Sequence, residues 1–94
     1  NPAINQIDSR MKQNFETVDT VQGRLEVLNK SLISEENSVQ YYETLLEKTP
    51  SDSEQNIGRR RIYEELHQEE KKHVATIQAL LDYWESKLDE LKAS

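Results

Sequence analysis

The chain has 94 residues and a net charge of −6, with 34% hydrophobic and 32% charged residues, two glycines and two prolines. So acidic a chain offers no basic face to neutralise phosphates, which argues against nucleic acid, and the lack of cysteine excludes disulfides, thiolate zinc sites and iron–sulfur clusters. No apolar run is long enough to cross a bilayer and no secretory signal is visible, so a cytoplasmic protein without a membrane partner is expected.

Sparse turn residues and strand formers point to an all-α chain. Asn1-Pro2 reads as a cap followed by proline at the first helical position. From there a seven-residue apolar pattern runs through Ile4, Ile7, Met11, Val18, Val21, Leu25, Leu28, Leu32, Val39, Tyr42 and Leu46. Such patterning marks a long helix packed along another helix. Gly23 costs about 1 kcal/mol in a helix interior, yet the pattern keeps its phase across it, so one continuous helix is expected. Pro50 disfavours helical geometry at Thr49 and should close this helix near Lys48. Ser51 and Glu54 stand in capping-box spacing, so a second helix should start directly after Ser51 and span roughly residues 52 to 92. Its stripe is Tyr63, Leu66, Ile77, Leu80, Trp84 and Leu91, flanked by Leu81 and Leu88. The expected domain is a single antiparallel helical hairpin over residues 1–94. One hairpin buries little core, so two copies should pair into a homodimeric four-helix bundle or a larger homo-oligomer.

Polar residues interrupt the stripes at Asn14, Glu35, Arg59, Glu70, His73 and Lys87. Arg59 and Lys87 can carry their charges to water on long stems. Asn14 resembles the buried asparagine that sets register in coiled coils. Glu35 lies about 20 Å before the loop at 1.5 Å per residue, and Glu70 and His73 about 25 to 30 Å after it. An antiparallel hairpin therefore brings the three into one layer. Buried charges persist when paired or bound to metal. Glu70 and His73 form Glu-x-x-His, which points both side chains to one helix face. Mixed carboxylate and imidazole donors suit ferrous or other divalent ions, and a Glu plus a Glu-x-x-His is half of a di-iron bundle site. Glu35, Glu70 and His73 are thus the candidate metal ligands, with iron as the expected cofactor. Two copies would set four carboxylates against two divalent cations. Glu36 is an alternative or an addition to Glu35. Tyr42, two turns beyond Glu35, is placed to hydrogen-bond a ligating carboxylate from behind. Tyr41 and Tyr63 read as packing residues, and Trp84 as filling a core or interface. Glu64 and His67 repeat the Glu-x-x-His spacing, but their heptad phase assigns them to a solvated face.

The segments from Glu35 to Glu43 and from Glu69 to His73 resemble the rubrerythrin-like branch of the ferritin-like proteins, over roughly residues 32 to 82. The resemblance implies Glu35, Glu70 and His73 as iron ligands, with Tyr42 at an aromatic position seven residues after the first glutamate. The chain carries one helix pair where full ferritins carry two, and it lacks a cysteine-rich rubredoxin module. In this it looks most like encapsulated ferritins, whose centre forms between subunits, which implies a shell protein as partner and a protein nanocompartment as location. Residues 1–30 lie outside the resemblance and read as an added helical dimerisation segment. The resemblance implies ferroxidase, iron-storage or peroxide-reducing activity. Three functions stand at this point: an intersubunit di-iron protein, a non-catalytic coiled-coil module whose Glu/His layer sets register, and a structural protein held by a metal such as zinc.

Overall fold

The computed structural model describes residues 16–94, which form two helices, α1 (Val18–Lys48) and α2 (Glu54–Ala93), packed as an antiparallel hairpin with no strand among the described residues. The expected start at Asn1-Pro2 and the role of Asn14 lie outside these residues. α1 begins at a capping box. Thr17 Oγ1 accepts from the Thr20 amide at 3.1 Å, and Thr20 Oγ1 accepts from the Thr17 amide at 2.7 Å. The helix is unbroken across Gly23, so residues 18–30 and 32–48 belong to one element. It closes at Lys48 with Thr49 extended as the C-cap, as the following proline requires.

α2 starts two residues later than the Ser51–Glu54 spacing suggested. Ser53 is the N-cap, its hydroxyl accepting from the Asn56 amide at 3.1 Å, while Asp52 Oδ1 accepts from Asn56 Nδ2 at 2.7 Å. Two local bonds to one asparagine outweigh the single box that Ser51 could have made. The turn is tied down from α2. Arg60 Nη1 donates to the Leu46 and Thr49 carbonyls, both at 2.6 Å, and so adds a donor at the end of α1, where no amide four residues on is available from Pro50.

The α1 stripe packs as expected. Val18, Leu25, Leu28, Leu32, Glu35, Val39, Tyr42 and Leu46 are half-buried, and Val21 is fully buried. On α2 the seam runs through Tyr63, His67, Glu70, Val74, Ile77, Leu81, Trp84, Leu88 and Leu91. Leu81 is 6% exposed and belongs to the core, whereas Leu80 and Leu66, expected in the stripe, are 42% and 38% exposed. The two patterns share Tyr63, Ile77, Trp84 and Leu91, and they differ by one residue in between. α2 therefore has two adjacent apolar faces, and α1 covers only one of them. His67, assigned above to a solvated face, likewise lies in the seam because its position follows Tyr63 by four residues rather than three. Its side chain is 14% exposed and its Nε2 lies 3.1 Å from Glu43 Oε1 across the hairpin. Glu64 is exposed.

Val21 and Leu81 are the only buried apolar residues among those described. No described helix is long and apolar enough to cross a membrane.

Candidate metal centre

Helix spacing and hairpin height together bring Glu35, Glu70 and His73 into one cluster, with one ligand atom from each lying within 4.8 Å of the others. Glu35 comes from α1. Glu70 and His73 are one turn apart on α2 and present their side chains to the same side. Glu35 and Glu70 sit in the seam, 29% and 21% exposed, while His73 is 54% exposed at its edge. His73 Nδ1 lies 3.5 Å from Glu35 Oε2 and 3.7 Å from Glu70 Oε2. Both separations exceed the usual hydrogen-bond range of about 2.7–3.2 Å. Glu70 Oε2 is sealed from solvent yet has no hydrogen-bond partner. Buried carboxylate oxygens without partners are rare and call for an explanation such as an ion.

Electrostatics single out the same residue. Glu70 holds its proton more tightly than an ordinary carboxyl, first because Glu35 can accept a hydrogen bond from the protonated form. Burial and the like charge of Glu35 push in the same direction, and His73 opposes them. A proton shared between the carboxylates and a divalent cation are two ways to relieve one repulsion. The folded state binds the Glu70 proton better than the unfolded chain, whose value is the ordinary 4.5. Its stabilising contribution is therefore complete below that value and is lost as pH rises through the higher folded one. In metal-free protein, Glu70→Gln should flatten the fall in Tm above pH 4.5 relative to the parent. Superimposable Tm–pH curves for the two would contradict this placement of the charge.

Glu36 points elsewhere. It is exposed and lines an open depression of mixed character with Val39, Gln40, Glu43, Lys71 and Val74, which none of the three cluster residues lines. Tyr42 is half-buried in the seam with its ring edge-on to Tyr41 at 5.3 Å, and no hydrogen bond joins it to Glu35 or Glu70. Tyr63 is half-buried, and Tyr41 is 59% exposed.

The open side of the cluster carries a second feature. An open groove of about 520 Å³ lies between the helices, lined by Gly23, Arg24, Val27, Leu28, Leu80 and Trp84. Arg24 sits over the Trp84 ring at 4.5 Å and pairs with Glu16 at 2.6 Å. Leu66, His73 and Leu80 are spaced by seven residues, so they share one face of α2, and the groove opens onto it. The heptad pattern expects Leu66, His73 and Leu80 in the hairpin seam, whereas all three are exposed. Comparison with protein-family models, with curated proteins and with solved structures finds no match to this chain.

Proposed function

We propose that the chain is half of a di-iron carboxylate protein, related to the ferritin-like proteins that its sequence resembles, and that its centre forms between two copies. The observation that carries this reading is the convergence of Glu35, Glu70 and His73 around a buried carboxylate oxygen that lacks a partner. The donor set fits the metal. Two carboxylates and an imidazole suit ferrous iron, and each carboxylate can span two ions. One chain provides three protein ligands, too few for a bridged pair of ions, and His73 opens outward where a second copy would complete the set.

In this arrangement Glu70, the most enclosed of the three, Glu35 from the facing helix and the more exposed His73 would hold the iron. Ferrous iron held there would supply the electrons, one from each ion, for reduction of dioxygen or peroxide. The protein holds the ligands at fixed height and surrounds them with helix. Leu66 and Leu80 limit water above and below once a second hairpin covers them. A coiled-coil register layer needs Glu and His to satisfy each other, and separations of 3.5 and 3.7 Å serve that role less well.

Oxygen-dependent oxidation of added ferrous iron, followed by absorbance growth, tests the reading. Glu35→Ala should bring the rate to the protein-free background while circular dichroism shows unchanged helix content. Oxidation at the parental rate by that variant would remove the di-iron reading.

A further inference from the structure

We infer that Arg60 and His67 are positioning residues for the centre, because they select which of two adjacent faces of α2 packs on α1. The role at the centre rests on the di-iron reading above, whereas the choice of face does not. Two series of residues spaced by seven run side by side along α2. Arg60, His67, Val74, Leu81 and Leu88 form one, and Arg59, Leu66, His73, Leu80 and Lys87 the other. Tyr63, Glu70, Ile77, Trp84 and Leu91 lie between them and serve either face. No member of the first series is exposed, and in the second only Lys87 is half-covered.

Near the turn this choice runs against hydrophobicity. Leu66 is left 38% exposed while the His67 side chain beside it is 14% exposed. Apolar burial is non-directional and would favour the leucine. The contacts that offset it are directional. Arg60 Nη1 donates to the Leu46 and Thr49 carbonyls at 2.6 Å, and His67 Nε2 lies 3.1 Å from Glu43 Oε1. Arg59 is engaged within α2 instead, its Nη1 donating to Asn56 Oδ1 at 2.7 Å. Turning α2 by about 50°, half the angle between successive helix residues, would exchange the two faces. Glu70 would stay in the seam. His73 would leave the rim, where it is 54% exposed, and become enclosed between the helices, lost to an ion shared with a second copy. Arg60 and His67 bond to different parts of α1, so either holds the face when the other is removed.

The chain has no cysteine, so single thiols at Leu80→Cys and Leu81→Cys report the face without background. In metal-free protein a thiol reagent should react faster at position 80 than at 81, since Leu80 is 42% and Leu81 6% exposed. Arg60→Ala with His67→Ala should bring the two rates together while circular dichroism shows unchanged helix content. Either substitution alone should leave them apart. Arg60→Lys with His67→Ala returns a donor to the α1 carbonyls and should separate the rates again. Arg60→Ala with Glu43→Ala removes the same contacts through a residue that is 53% exposed, and covers the case in which loss of His67 unfolds the hairpin. Ferrous binding by the thiol-free chains should weaken about two-fold or more in the double variant, as equal occupancy of two faces requires, and recover with lysine. Rates that stay apart in both double variants, or that Arg60→Lys fails to separate, overturn the selection of face. Rates that converge with unchanged ferrous affinity overturn the positioning role. A parental chain that binds no iron removes the metal reading, and the thiol rates still decide the face.

Discussion

His73→Ala should weaken ferrous binding by more than the roughly 10- to 100-fold that follows loss of a group behind a ligand, because it would remove one of the proposed ligands. His67→Ala should leave ferrous affinity close to parental. The two histidines belong to identical Glu-x-x-His spacings, so only their surroundings separate them. His73 has two carboxylates within 3.7 Å, one from each helix. His67 has one, Glu43, which is 53% exposed, and His67 itself lies in the seam. Loss of His67 therefore touches the fold rather than the centre. The lost contact with Glu43 should cost about 1 kcal/mol, since solvent competes for the exposed partner. Anaerobic titration with ferrous iron, read beside thermal melts, separates the two effects. Equal loss of affinity in both variants would mean that the cluster is not the binding site.

Much of this architecture can be read in the chain, and the exceptions have physical causes. Pro50 acts locally through sterics, so the end of α1 at Lys48 is legible from two residues. The α1 seam is legible because its apolar residues keep spacings of three and four along the whole helix, while Val27, Ile33 and Tyr41 beside it do not continue such a series. The α2 seam is not, because Leu80 and Leu81 are equally apolar and a single sequence cannot say which of two adjacent faces meets α1. That ambiguity put His67 on the wrong face, although Glu70 belongs to both patterns and kept its place. Ser53 displaced Ser51 as the cap through a side-chain bond between Asp52 and Asn56 that no capping template includes. Arg60 bonding back to Leu46 and Thr49 is fourteen and eleven residues distant, and no periodicity encodes it. The grouping of Glu35, Glu70 and His73 was legible because it needs only helix rise and a known turn. The unpartnered state of Glu70 Oε2 was not, since that depends on atomic packing.

Ferrous iron should tighten self-association. Each chain brings Glu35, Glu70 and His73, and two chains bring six ligands, enough for two ions with positions left for oxygen or peroxide. In the proposed dimer without metal, four carboxylates would approach one another. Within one hairpin Glu70 already holds its proton more tightly than an ordinary carboxyl, through its hydrogen bond with Glu35, its burial and then the like charge of Glu35. Ions that bind only the assembled state pull the equilibrium by mass action. At free iron 100-fold above its dissociation constant each ion contributes about 2.7 kcal/mol, so two together should tighten the dimer by about 10⁴-fold. Ile62, Leu66 and Leu80 are exposed on α2 and would be covered by pairing with or without metal, so the metal-free protein should still associate at high concentration.

Sedimentation velocity under anaerobic conditions, across a dilution series with and without ferrous iron and with bound iron counted in each species, tests the intersubunit centre most directly. The expected result is a dimer that persists to far lower protein concentration in iron, carries two ions, and loses this response in Glu35→Ala. Iron bound stoichiometrically by monomers, or a dimerisation constant indifferent to iron, would contradict it.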